Sequence, residues 1–332
     1  MYHKNFFRTL NRVKYANYIF VISGISLFFN LFFTTVMVSA EETPQSFSAS
    51  DDLDRTVRII LQNSIRTIWE AQNYSTNLHC QADIMGKIFN GKGEFYQKCE
   101  IGSLNAQEKV SARWEFTFYM TGFRFYQLSV LNGDQERLWT LTERRADEQK
   151  NQDDSLGKVQ VVNLSTVKTM VGQSPLEYPS IAPPWYSQPN VAQILEGILM
   201  SYQFTMAGET QLPGTNQPIY QIEGQLKQEF VWEVLESRGL DPAGGLFALP
   251  GEIPMCVELL IDKAQGLPIL IRFYRMPSDE KKAQEPKETF SYTIRFEQTH
   301  LNDVSLDDSF FEISSGNEMI DVTEQYLKDH HN

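Results

Sequence analysis

Residues 111–120 read SARWEFTFYM and residues 123–131 read FRFYQLSVL. In the first stretch Trp114, Phe116, Phe118 and Met120 share one parity, while Arg113, Glu115, Thr117 and Tyr119 share the other. Side chains alternate across a strand, so this pattern predicts a strand with one apolar and one polar face. Thr121-Gly122 turns it into the second stretch, and Asn132-Gly133-Asp134 turns the chain again into ERLWTLTE.

Upstream, NLHCQADIMGKIF and GEFYQKCEI flank Asn90-Gly91, which predicts a hairpin turn there. Before them Leu53, Val57, Ile60, Ile68 and Trp69 recur at helical spacing, behind Asp51, Asp52 and Asp54; they predict a helix over 51–72. Downstream, KVQVVNL reads as a short strand and STVKTMVG as one or two helical turns. Pro175, Pro179, Pro183, Pro184 and Pro189 exclude regular structure over 173–190. Val191, Ile194, Leu195, Ile198, Leu199 and Tyr202 then predict an amphipathic helix over 190–202.

QFTMAG and PIYQIEGQL resume the strands, and KQEFVWEVLESRG reads as a helix. MCVELLID, LPILIRFYRM and ETFSYTIRFEQ alternate cleanly, SFFEIS reads as a last short strand, and a helix near 318–329 ends the chain. Ten or eleven antiparallel strands with few helices imply a mainly β (α+β) fold. The expected form is a curved antiparallel sheet forming a half-open barrel, with helices as a lid.

Residues 1–18 carry four basic groups and no acid, 19–38 are almost wholly apolar, and Val38-Ser39-Ala40 suits a signal-peptidase site. The expectation is a signal peptide over 1–40, with an uncleaved membrane anchor as the alternative. Either places the remainder outside the cytoplasm, in the periplasm. Residues 41–50 form a polar linker, 51–315 the domain, and 316–332 a C-terminal helix and tail.

The chain of 332 residues has 29 basic and 42 acidic side chains, a net charge of −13. A protein this acidic lacks the basic surface that nucleic acid demands. Three cysteines follow residue 40: Cys80, Cys99 and Cys256. Cys80 and Cys99 fall on neighbouring strands of one hairpin, where a disulfide is geometrically open to them; small buried apolar residues are the alternative.

The sequence has no H-E-x-x-H, no C-x-x-C, no G-x-S-x-G, no phosphate-binding loop and no dinucleotide fingerprint. It therefore offers no metal site, no cofactor and no catalytic residue, and the expectation is a protein that is not an enzyme. What it offers is apolar strand surface. Trp114, Phe116 and Phe118, with Ile271 and Phe273 and with Tyr292 and Ile294, are the candidate lining of a ligand cavity. Each buried methylene of an acyl chain would contribute about 0.8 kcal/mol there. Ile194, Leu195, Ile198 and Leu199 of the helix over 190–202 are the candidate lid.

Several segments, in order along the chain, resemble a known family. They are the N-terminal helix, Asn90-Gly91-Lys92-Gly93, LNGDQERLWTLTE, VELLIDKAQGLPILIRFYR and FSYTIRFEQTHLNDVSLDDSFFEIS. Together they are similar to the LolA/LolB-like periplasmic lipoprotein-carrier superfamily, which includes the sensor RseB. The resemblance implies a half-open barrel whose helices cover an apolar cavity. It implies a carrier of lipid or acylated protein or, as the alternative, an envelope-stress sensor bound to an inner-membrane or outer-membrane protein. In the carrier a strand arginine holds the lid closed, and the resemblance makes Arg113 and Arg124 the candidates here. The segments 143–190 and 226–252 depart from the family pattern as insertions.

Overall fold

The structure is a computed structural model. It describes residues 49–84, 87–99, 110–120, 123–133, 135–146, 158–171, 190–237, 239–249, 253–275, 290–313 and 318–331. The segment 1–40, the linker up to residue 48 and the proline-rich stretch 173–189 lie outside the described residues.

The strands form one sheet. β1 (Asn73–Ile84), β2 (Lys87–Cys99), β3 (Val110–Met120), β4 (Phe123–Asn132), β5 (Arg137–Ala146) and β6 (Val159–Asn163) make an antiparallel meander. On the far side of β1 lie, in turn, β11 (Phe290–Leu301), β10 (Pro268–Tyr274), β9 (Cys256–Asp262), β8 (Pro218–Leu226) and β7 (Tyr202–Gln211). The last long strand, β11, thus returns to the middle and joins the two halves. At one edge β12 (Met319–Asp321) pairs with β6 in parallel. The sheet does not close: β12 and β7 are its edges. The mainly β class with a curved open sheet is as the alternation predicts, but among the described residues the sheet has twelve strands and one parallel pair.

Three local expectations need correction. Asn90-Gly91 is not a turn; it lies inside β2, where Gly91 faces Cys80 on β1 and Phe118 on β3. The chain reverses between Ile84 and Lys87, and Gly91 serves space rather than turning. A Cβ on Gly91 would stand 2.8 Å from the Phe118 ring, and one on Gly93 would stand 2.7 Å from the Phe116 ring and 2.2 Å from the Glu115 carbonyl oxygen. SFFEIS is not a strand either: Asp308–Phe311 form a 3-10 turn, because Asp307 caps it by accepting from the Ser309 amide at 2.8 Å.

The third correction is the disulfide. Cys80, Cys99 and Cys256 are all free and buried. The hairpin pairs Cys80 with Gly91, eight residues along β2 from Cys99, whose amide instead reaches the Gln72 carbonyl at 2.8 Å. A disulfide needs Cα atoms within about 7 Å; this register holds the two far beyond it.

Five helices of eight residues or more accompany the sheet among the described residues. They are α1 (Ala49–Glu70), α2 (Leu164–Val171), α3 (Val191–Ser201), α4 (Gln228–Ser237) and α5 (Thr323–His331). α1 buries Val57, Leu61, Ser64 and Ile68 on one face and packs against α3 and β7. α3 begins where the Asn190 side chain accepts from the Gln193 amide at 2.8 Å. Val191, Ala192, Ile194, Leu195, Gly197 and Ile198 are all buried, while Met200 is exposed and Glu196 and Leu199 are half-buried, so α3 is amphipathic as predicted, with a broad apolar face.

Two apolar clusters lie on opposite faces of the sheet. The larger joins α1 and α3 to the inner face of β1–β3 and β7–β11. The smaller gathers Leu128, Val130, Trp139 and Leu141 of β4 and β5 with Leu306 and Phe311 of the chain after β11. Leu128 and Val130 have the parity opposite to Phe125, so the buried face changes sides at β4.

Candidate functional site

Register fixes which side chains share the inner face. Phe118 pairs with Gly91, Gly91 with Cys80, Cys80 with Ile294, Ile294 with Ile271, Ile271 with Leu259 and Leu259 with Ile222. One row thus runs across six strand pairings. The neighbouring rows place Phe116 across from Gly93, and Tyr292 across from Phe273. All seven candidate lining residues therefore stand on one face, and none was exchanged by a register slip.

That face has an aromatic spine. Tyr74 meets Phe95 at 5.6 Å between ring centroids, and Phe95 meets Trp114 at 4.3 Å. Trp114 and Phe116 stack at 5.8 Å and 15°, and Phe116 and Phe118 at 5.9 Å and 19°. Gly91 and Gly93 allow the last two rings to lie against the backbone of β2 instead of standing off it. The result is a low, continuous apolar floor. Trp114, Phe116, Ile271, Phe273, Tyr292 and Ile294 are buried, and Phe118 is half-buried.

α3 lies over this apolar cluster. Ile194, Leu195 and Ile198 are buried in the same cluster as the floor, and Leu199 packs against it. The structure thus brings the four candidate lid residues and the seven lining residues into one apolar body. A side-chain hydrogen bond ties α3 to α1: the Trp69 indole Nε1 donates to Glu196 at 2.9 Å. Burial pushes the Glu196 carboxyl above its ordinary range, and the Trp69 hydrogen bond opposes the shift.

The two arginines are elsewhere. Arg113 and Arg124 have the parity of Glu115 and Tyr119, so they stand on the outer face, away from α1 and α3. Arg113 donates to the Phe310 carbonyl at 3.1 Å and to Glu115 at 3.2 Å, with its guanidinium 4.9 Å from the Phe310 ring centroid. It fastens the 3-10 turn to the sheet. Neither arginine reaches the helices it would have to hold, because one-residue alternation sends it to the wrong side.

Some inner-face residues were not singled out by sequence. Gln97 is fully buried; its Nε2 reaches the Ile68 carbonyl at 3.4 Å and Cys99 Sγ at 3.1 Å. Ser64 is fully buried on α1. A signal existed for both: Gln97 has the parity of Phe95 and Cys99, and Ser64 the helical spacing of Leu61 and Ile68. Each is a polar residue at a core position. Trp69 and Glu196 lie far apart in the chain, and only the packing of α1 on α3 pairs them.

The site's other titratable groups are thiols and phenols. Burial raises the Cys80 thiol to about 12, against a hydrogen bond from Tyr292, and raises Cys99 to about 11, against one from Gln97. Neither is poised as a nucleophile, which requires a depressed pKa. Among the described residues no group of three or more metal-ligating side chains comes together. No described helix is long and apolar enough to cross a membrane.

No family profile and no curated relative matches the sequence. Solved structures do match. A DUF1329 family protein from Desulfovibrio piger is 13% identical, with 77% of this chain and 97% of that chain covered, at a TM-score of 0.29. MucB is 10% identical over 78% of this chain and 64% of that chain, at 0.35; it has also been solved with MucA from Pseudomonas aeruginosa. A domain from Vibrio parahaemolyticus described as an outer membrane lipoprotein-sorting protein is 9% identical, with 75% and 97% covered, at 0.26. Likenesses this distant say nothing of what the chain binds.

Proposed function

We propose that this protein is an exported carrier that holds acyl chains between the inner face of its sheet and the helices α1 and α3. The observation that carries the reading is the joining of the aromatic floor and the α3 side chains in one apolar body. That body is continuous across the sheet from Phe118 to Ile222, and the Trp69–Glu196 hydrogen bond ties α3 to α1.

In the structure α3 fills the face. Loading requires α3 to lift, so that an acyl chain replaces Ile194, Leu195 and Ile198 over the floor. Exposing α3 opposes the exchange; burying about a dozen methylenes contributes roughly 10 kcal/mol toward it. Binding of this kind needs no directional chemistry and no catalytic group, so the carrier is not an enzyme. It acts outside the cytoplasm, released by cleavage after Ala40 or held by the segment 19–38.

The test is to purify the protein from envelopes, extract it with organic solvent and identify bound lipid by mass spectrometry. A fluorescent fatty acid is titrated in parallel. Bound acyl lipid with saturable uptake of the probe is the expected result. No extracted lipid and no probe binding would overturn the reading. A stable complex with an envelope membrane protein in place of lipid would favour the sensor alternative.

A further inference from the structure

The segment after β11 crosses the outer face of the sheet from β2 to the β4–β5 turn, and side chains hold it along the way. Lys98 of β2 donates to Asp308. Arg113 of β3 donates to the Phe310 carbonyl at 3.1 Å, and Asn132 at the end of β4 donates from Nδ2 to the Phe311 carbonyl at 3.3 Å. Gln135 in the β4–β5 turn donates to Glu312 at 3.3 Å. Phe310 meets the Tyr96 ring edge to face, 4.8 Å between centroids, and Phe311 is buried with Leu128, Val130 and Trp139.

These are the contacts of a bound peptide rather than of a strand. Among the described residues the segment joins no strand ladder, and its regular structure is the 3-10 turn alone. Side-chain donors take two consecutive main-chain carbonyls, two aromatic rings are seated, and one carboxylate meets a cation. In peptide recognition main-chain bonds give hold and seated side chains give selectivity. Lifting the segment breaks no strand pairing, since it contributes none.

The chain's own segment leaves this groove short of acceptors. Arg113 Nε and Trp139 Nε1 are buried without a hydrogen-bond partner. Register sets them in one row, since Arg113 pairs with Val130 and Val130 with Trp139. Glu115 accepts from another nitrogen of Arg113 at 3.2 Å and leaves Nε unpaired. Both atoms can only donate. Buried donors are rarely left unpaired, so an occupant with more acceptors would be held more firmly than the segment in place. Lys98 adds a cation at one end of the groove. The complementary occupant is aromatic and acidic.

We propose that this outer groove is a docking site for an acidic, aromatic segment of a partner protein, and that residues 306–313 fill it as a detachable strap. The partner sets an acid at Lys98, paired aromatic rings beside Tyr96 and Val130, and further acceptors at Arg113 and Trp139. The groove lies on the face opposite the aromatic floor, so the inference stands apart from the carrier reading.

The test titrates a fluorescein-labelled peptide, LDDSFFEI, the sequence of residues 306–313, into the whole protein and into its Phe310→Ala and Asp308→Asn variants. Polarisation reads the binding. Both substitutions loosen the strap and leave the groove unchanged. The peptide is therefore expected to bind each variant roughly tenfold more tightly than the native protein, where the tethered strap competes. Adding Arg113→Ala to Asp308→Asn should abolish that gain, and a peptide with alanine at both phenylalanines should not bind. Asp308 is exposed, so Asp308→Asn decides the matter if Phe310→Ala fails to fold. Equal binding of the two peptides, or no binding to the folded Asp308→Asn variant, overturns the docking site. A native protein that runs as a dimer and takes up no peptide also overturns it, because a second copy then fills the groove. Lipid extraction decides the carrier reading separately from each of these results.

Discussion

Trp69 and Glu196, 127 residues apart, join the two helices that cover the inner face, the indole donating to the carboxylate at 2.9 Å. Glu196 is more protonated in the folded chain than in water, because burial penalises its charge. A carboxyl raised on folding stabilises the fold fully below its unfolded pKa of about 4.3. That contribution is lost as pH rises through the raised folded value. Glu196→Gln, which stays neutral and can still accept from Trp69, should melt above the native protein at neutral pH and converge with it near pH 4. Melting curves across that range check this. Trp69→Phe removes the donor and should cost about 1–3 kcal/mol in urea unfolding at neutral pH, and less in acid.

Gly93 and Gly91 are expected to differ sharply on substitution by alanine. At Gly91 the first atom a Cβ meets belongs to the Phe118 side chain at 2.8 Å, and Phe118 is only half-buried, so its ring can yield. At Gly93 the first atom is a backbone oxygen at 2.2 Å, which cannot move without breaking the β2–β3 pairing. Gly93→Ala should therefore cost about 1–3 kcal/mol and Gly91→Ala less. Equal losses by denaturant titration would contradict this account of the floor.

Thiol chemistry reports on the register of the first hairpin. Three free, buried cysteines predict slow labelling of the folded protein at pH 8 and three alkylations in denaturant without reductant. A mass deficit of two hydrogens in unreduced protein would mean a bridge that the β1–β2 pairing forbids.

Arg113 separates two roles that a strand arginine can have. Here it holds the Phe310 carbonyl and lies over the Phe310 ring, on the face away from α3. Arg113→Ala should lower stability by about 1–2 kcal/mol through the 3-10 turn and leave acyl-probe affinity unchanged. Altered probe affinity at unchanged stability would place it back at the lid.

Alternation and helical spacing made most elements legible: the strand over Trp114–Met120, the helix at α3 and the return strands β9–β11 all stand close to where the sequence predicts them. They also put the seven lining residues on one parity, which the sheet preserved. What the sequence hid depends on pairs distant in the chain. Asn90-Gly91 has the composition of a turn, yet Gly91 lies mid-strand because an aromatic ring on the next strand needs the room. Arg113 has an eligible charge and strand, and only the change of buried face at β4 shows that it serves the C-terminal turn. SFFEIS has strand composition, but Asp307 caps it into a 3-10 turn.

The chain's end has one more consequence. β12 lies along β6, with the Val159 amide bonded to the Glu318 carbonyl at 2.9 Å and the Val322 amide to the Val161 carbonyl at 2.9 Å. Loss of residues beyond 317 would strip that rim and leave a hydrophobic strand with dangling amides, a template for one molecule to adhere to the next. β12 thus works as a selvedge along β6, taking up backbone groups that would otherwise lie open at the rim.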